Sequence, residues 1–302
     1  MDLHRYAFSS MGCPCAIQLE ADDESVARTA AARAQAEVAR LDEKYSHYRS
    51  DNWLARLCAS AGSGRRVELD EEAANLVDFA AALHAQSAGR FDVTAGALTK
   101  LWDLQSGRIP AQAQIDAALA RSGWHRVEWQ RPYLCLPVAG MCIDFGGVVK
   151  EYAADRAAQI CRKNGIAHGI VDLGGDLAAI GAHADGSAWL AGIKSPRNPA
   201  DVHASIELDR GGLATSGDYE RVMIVDGRRY SHIVDARTGW PMQSFASVSV
   251  LADSCLVAGA ASTLAMLFGV ERGADYLREL GLPWLAIDAD GRTRGSIEAA
   301  TT

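Results

Sequence analysis

The chain has 302 residues, 49% of them hydrophobic, and a formal net charge of −8. That is enough apolar material for a sizeable core, and the acidic balance argues against a protein that grips nucleic-acid phosphates along a broad basic face. The seven cysteines are odd in number and irregular in spacing, which argues against a disulfide framework and predicts free thiols in a reducing compartment.

In chain order, the first residues show no basic stretch followed by an apolar one, and no later run of about eighteen apolar residues occurs. The expectation is a cytoplasmic chain without a membrane segment. Residues 6–20 alternate loosely and predict a strand pair around Gly12 and Pro14. Within it, Cys13-Pro-Cys15 lacks C-x-x-C spacing and reads as two small buried residues. Residues 22–45 predict a long Ala-rich helix, with Asp22, Asp23 and Glu24 at the end where the helix dipole favours acids. Further helices are expected over 71–87, ended by Gly89, and over 112–121; residues 124–129 and 133–136 predict a hairpin. A helix over 152–164 stops at Gly165, and short strands follow over 168–172, 177–180, 189–193, 203–208, 221–225 and 247–251. Helices over 256–268 and 271–280 close the pattern. Helices early and late with strands in series between them predict an α+β fold: a single domain, residues 1–302, with a largely antiparallel sheet flanked by helices.

Glycine-punctuated segments carry the chemistry. The most informative is Asp144-Phe-Gly-Gly-Val-Val-Lys-Glu-Tyr-Ala-Ala-Asp155. Its glycines precede a predicted helix, whose unpaired N–H groups are suited to phosphate oxygens. Lys150 puts a positive charge in the first turn, where the dipole disfavours it unless an anion such as phosphate sits nearby. Asp144 suits a ribose hydroxyl or an exocyclic amine. A plain strand-to-helix turn with a solvated lysine accounts for the same residues. Val171-Asp-Leu-Gly-Gly-Asp176 reads as a tight turn, and Thr215-Ser-Gly-Asp218 reads as a loop rich in hydroxyls and amides. His232 lies in an apolar, strand-like stretch and fits a core histidine as well as a functional one. No zinc spacing, Walker A loop, G-x-G-x-x-G or G-x-S-x-G is present.

Taken together and in order, the blocks 144–155, 171–176, 214–221 and 230–239 resemble the ApbE-type FAD:protein FMN transferases, with Phe8-Ser-Ser-Met-Gly12 and Ala258–Thr263 extending the likeness over nearly the whole chain. The resemblance implies an ApbE-like α+β domain with FAD in a cleft. It also implies a magnesium-dependent reaction in which a Thr or Ser hydroxyl of a client protein takes FMN from FAD and AMP is released. It implies roles as well: FAD contacts from Met11, Tyr48, Gly96, Ala97, Leu98, Asp144 and Lys150; magnesium held by the Gly147 carbonyl and the Thr263 hydroxyl; and support of binding and transfer by His232. Two rivals stay open: an FAD-binding homologue with little transferase activity, and a magnesium-dependent FAD pyrophosphatase.

The chain departs from the family wording in places. Ala97 stands where proline is usual, and Asp51-Asn52-Trp53 where Asp-Ser-Glu is usual. The late metal motif, Ala-Asp-Ala-x-x-Thr, reads Ala258-Gly259-Ala260-Ala261-Ser262-Thr263, so the carboxylate is missing at 259. Magnesium favours carboxylate and phosphate oxygens, so metal affinity is expected to be weak without nucleotide. Gly259→Asp is expected to strengthen it.

Overall fold

The computed structural model describes residues 1–198, 201–219 and 221–297. Strands β1 (Asp2–Ser10) and β2 (Cys13–Ala21) form the expected hairpin. Helix α1 (Glu24–Tyr45) follows, its first turn capped by the Asp23 side chain. Helix α2 (Trp53–Ala59) was not foreseen; it is short, and Asn52 caps it by accepting from the Ala55 amide. Next come β3 (Val67–Glu68), α3 (Glu71–Gln86), α4 (Gly96–Leu101) and α5 (Gln112–Leu119). The hairpin expected from residue 124 is shorter: Trp124–Arg126 is a 3₁₀ turn, and β4 (Glu128–Gln130) pairs with β5 (Tyr133–Cys135).

Helix α6 (Val149–Lys163) starts before the expected residue 152, with Lys150 in its first turn as read from the segment and Glu151 beside it. Strands β6 (His168–Leu173) and β7 (Asp176–Gly181) lead to the ribbon β8 (Trp189–Lys194) and β9 (Val202–Leu208). The stretch read as a loop around Thr215 is strand β10 (Gly212–Gly217). Two small pairs follow, β11 (Val222–Val225) with β12 (Arg228–Ser231) and β13 (Val234–Asp235) with β14 (Trp240–Pro241). The described chain ends with β15 (Ser247–Ala252), α7 (Cys255–Phe268), α8 (Val270–Leu280), β16 (Trp284–Ile287) and β17 (Thr293–Gly295).

The main sheet has eight strands in the order β1-β2-β6-β7-β10-β15-β16-β17, each paired antiparallel with its neighbour. The pleat sends alternate residues to opposite faces. Ile17, Leu19, Val171, Val248 and Val250 join the core under α1, α6 and α7, where Ala154, Ala158 and Leu264 meet them. Ile170, Ala179, Leu213 and Leu285 face the β8–β9 ribbon, packing on Trp189, Ile193 and Ile206. The architecture is thus three layers: helices, sheet, ribbon. Asp155 of α6 fixes α7 by accepting from the Cys255 and Leu256 amides, both at 2.9 Å. Among the described residues no helix is long and apolar enough to cross a membrane, and no disulfide joins the cysteines.

Candidate functional site

Two tight turns lie side by side at one end of the sheet. The β1–β2 turn holds Met11 and Gly12 at φ 52° and 74°; the β6–β7 turn holds Gly174 and Gly175 at 67° and 92°. Positive φ at both central positions matches the twist of a two-residue hairpin and favours glycine. The Gly174 amide donates to the Pro14 carbonyl at 3.1 Å, which joins the turns. Met11 is anchored from below, its amide donating to Asp42 Oδ2 at 2.8 Å.

Asp144 is the hub of the wall beside these turns. It accepts from Thr99 Oγ1 at 2.7 Å and from the Gly146 amide at 2.8 Å, and His47 Nδ1 lies 3.1 Å from its Oδ1. Burial alone would raise its pKa, but His47, Thr99 and Gly146 outweigh burial and hold the carboxyl below its ordinary range. The His47 ring packs on Tyr48, whose own ring is 76% exposed and therefore available to a flat ligand. Arg221 Nη1 reaches the Tyr48 hydroxyl at 3.3 Å. Gly96 abuts the Cys142 carbonyl so closely that a β-carbon would lie 2.7 Å from its oxygen. Ala97 is half-buried beside it, whereas the Leu98 side chain is fully buried against Trp102 and Ile115. The Leu98 side chain therefore offers no surface to a nucleotide, which leaves its backbone as the part that could line a site.

Lys150 is not the solvated lysine of the simplest reading: Nζ lies 2.6 Å from Asp176 Oδ2. Asp176 is 2% exposed and also accepts from the Thr215 amide. Because β10 is a strand in mid-sheet, its Ser216 faces α7 directly. Ser216 Oγ lies 2.8 Å from Ser262 Oγ and 3.1 Å from Thr263 Oγ1, and Ser262 Oγ donates to the Gly259 carbonyl at 3.0 Å. Glu151, one residue after Lys150, extends its buried side chain against Gly259, and its Oε2 has no hydrogen-bond partner. Burial, then the Asp176 charge, pushes the Glu151 pKa up to about 7 against the pull of Lys150.

His232 is no core histidine. Its ring surface is exposed, and Nδ1 lies 3.4 Å from the Arg221 carbonyl oxygen. Protein crowding the ring, followed by the positive charges of Arg221 and Lys150, nevertheless lowers its pKa well below the ordinary value.

The group is rich in hard oxygen: the Ser216 and Thr263 hydroxyls and the unpartnered Glu151 oxygen; Gly147 lies half-buried in the loop before α6. That chemistry suits magnesium. Among the described residues no three His, Cys, Asp or Glu side chains gather as a metal cluster, so hydroxyls and carbonyls must make up most of any protein-derived shell. Sequence reasoning missed Glu151, Asp176, Arg221 and His47. The first three stand inside segments already singled out, but the contacts that give them meaning join distant parts of the chain.

A family model described as the ApbE family matches residues 11–285. The FAD:protein FMN transferase of Salmonella typhimurium is 32% identical over 256 residues, covering 82% of this chain and 73% of that protein. The protein of that name from Treponema pallidum is 33% identical over 268 residues, covering 82% and 74%. Among solved structures, the ApbE protein of Thermotoga maritima superposes with a TM-score of 0.89 at 29% identity, covering 98% of this chain and 97% of that one. The apo flavinyl transferase ApbE of Pseudomonas stutzeri gives 0.86 at 29% identity, with 97% and 94% covered.

Proposed function

This chain belongs to the ApbE family, and from that premise we propose that it is an FAD:protein FMN transferase, taking FMN from FAD and attaching it to a Thr or Ser hydroxyl of a client protein. The observation that carries the reading is the convergence, at one end of the sheet, of the Met11 turn, the Asp144 hub, the Lys150–Asp176 pair and exposed His232. A plain strand-to-helix turn does not require these groups to meet.

In this reading Tyr48 and the Met11 turn receive the flavin nucleotide. Asp144, held ionised by its donors, takes the adenosine end, with Gly96 and Ala97 beside it. Lys150 and the α6 N-terminus face the pyrophosphate, where amide donors and a positive charge favour anionic oxygens. A magnesium ion at the Gly147 carbonyl and the Thr263 hydroxyl supplies further charge neutralisation when bound. The client hydroxyl oxygen forms a bond to the FMN-side phosphorus while the bond from that phosphorus to the AMP oxygen breaks. AMP leaves with the bridging oxygen and its electron pair. The contact of Nδ1 with the Arg221 carbonyl favours a proton on Nδ1, so His232 Nε2 carries the lone pair that accepts the hydroxyl proton. The pyrophosphate charge strengthens that base on arrival, because a nearby anion favours the imidazolium. We assign the work to the cytoplasm, a reading that the odd number and irregular spacing of the seven cysteines support.

The test is mass spectrometry of an acceptor protein that a relative flavinylates, incubated with this protein, FAD and Mg²⁺. The expected result is one added FMN per acceptor and an equal yield of AMP. FMN and AMP released without acceptor modification would mark an FAD pyrophosphatase instead. FAD bound unchanged would mark a carrier.

A further inference from the structure

The gap at 259 is filled from another helix. We propose that Glu151 is the carboxylate ligand of the cation site, reaching from the first turn of α6 into the space beside Gly259 on α7.

A β-carbon built on Gly259 would lie 2.5 Å from Glu151 Cγ and 2.9 Å from both Cδ and Oε1. The Glu151 carboxylate therefore stands where a side chain at 259 would begin. Residues 259 and 263 lie four apart on α7 and share a face, so this carboxylate meets the helix one turn from the Thr263 hydroxyl. Two acidic side chains cannot share that volume. Glutamate at 151 requires glycine at 259, and the two residues make one arrangement.

The second observation is the orphaned oxygen. Glu151 is only 8% exposed, and its Oε2 is buried without a hydrogen-bond partner. Buried polar atoms are nearly always satisfied, and an exception calls for a cause such as an ion. The surroundings supply complementary donors: Thr263 Oγ1 and Ser216 Oγ lie 3.1 Å apart, Ser262 bridges Ser216 to the Gly259 carbonyl, and Lys150 is occupied by Asp176. A divalent cation takes carboxylate and neutral oxygens together. In this arrangement Gly259→Asp is not expected to improve metal binding, since the new side chain would collide with Glu151.

This proposal rests on the transferase reading, and its test separates the two. Mn²⁺ binding to the FAD-loaded protein is followed by electron paramagnetic resonance, and folding by thermal melting. Glu151→Gln is expected to weaken Mn²⁺ binding by at least about tenfold, the scale of losing a group that shapes a metal site, while FAD affinity without metal stays unchanged. Gly259→Asp alone is expected to lower the melting temperature. The double variant Glu151→Ala/Gly259→Asp, which removes the collision and returns a carboxylate from α7, is expected to restore both melting and Mn²⁺ affinity. If Glu151→Gln binds Mn²⁺ like the wild type, or the double variant recovers stability but no metal affinity, this assignment alone is overturned. If the wild-type FAD complex binds no Mn²⁺, both this assignment and the magnesium part of the proposed function fall.

Discussion

Glu72 and Glu151 both sit in the first turn of a helix, where the dipole favours an ionised carboxylate. Glu72, between α1 and α3, accepts from Arg40, Lys44 and Tyr45. Burial would raise its pKa, but those donors win and bring it down to about 2. Glu151 has burial and Asp176 against it and one oxygen with no donor, and its pKa rises to about 7. The same residue in the same helical position thus behaves oppositely, and the partners make the difference. Around Glu72 the chain has closed its charges on one another. Arg40 also pairs with Glu37, Lys44 also pairs with Asp70, and Arg156 joins from α6. Around Glu151 one carboxylate oxygen is left without a donor, the condition in which an added cation finds a group to satisfy.

The largest loss of stability is expected at the Lys150–Asp176 pair. Lys150→Met leaves Asp176, 2% exposed, without its cation and beside the Glu151 charge. Breaking a buried pair from one side costs about 3–5 kcal/mol. Urea unfolding of the variant is the check, and Lys150→Met/Asp176→Leu should recover most of the loss. A single variant within about 1 kcal/mol of wild type would show that water already screens the pair, and the contrast with the Glu72 cluster would weaken.

Glu72→Gln should cost less, because Arg40 keeps Glu37 and Lys44 keeps Asp70. A loss of about 1.5–3 kcal/mol, the scale of hydrogen bonds to a charged group, is the upper bound. The sign of its pH dependence follows from linkage. The folded pKa is depressed below the unfolded value, so the contribution is fully present above pH 4.5 and is lost as pH falls through about 2. The unfolding free energy of wild type should therefore decline over that window and converge on that of Glu72→Gln. A constant difference down to pH 2 would show that ionisation of Glu72 is not the source of its contribution.

Most of the scaffold was legible in the residues. The Ala-rich spacing of α1, the acids at its start and the alternation of β1 and β2 are local signals, and the structure places those elements within a few residues of expectation. Strand β10 was not legible: Gly212, Thr215, Ser216 and Gly217 have turn composition, yet pairing with β7 and β15 on both sides makes them a strand. Helix α2 is too short for periodicity to register. The site was legible as a set of segments but not as contacts. Gly259 read alone is a missing carboxylate; only the packing of α6 on α7 reveals that Glu151 occupies the same place. The burial of the Leu98 side chain was likewise not legible, since sequence cannot tell which side chains face the Trp102 cluster.

The smallest expected effect on stability is at His232, and there the comparison becomes sharpest, because function and stability should separate completely. The ring is exposed and its nearest backbone contact is long, 3.4 Å to the Arg221 carbonyl. His232→Ala should change the unfolding free energy at pH 7.5 by no more than about 0.5 kcal/mol, as exposed substitutions do. FMN transfer should fall by about 10²–10⁴, the usual contribution of a positioned base. The pKa of His232 is lowered from 6.5 to about 4 in the fold, so the folded state binds fewer protons there than the unfolded chain. Its contribution to stability is therefore intact above pH 6.5 and is lost as pH falls from 6.5 through about 4. The variant should lack that part of the acid slope while keeping the steeper part due to Glu72 at lower pH. Chemical unfolding across the two windows, run beside a transfer assay on the same samples, resolves both. A variant that loses stability at neutral pH in proportion to activity would make His232 a packing residue and remove it from the reaction. One that keeps both would leave the hydroxyl proton to another group in the cleft.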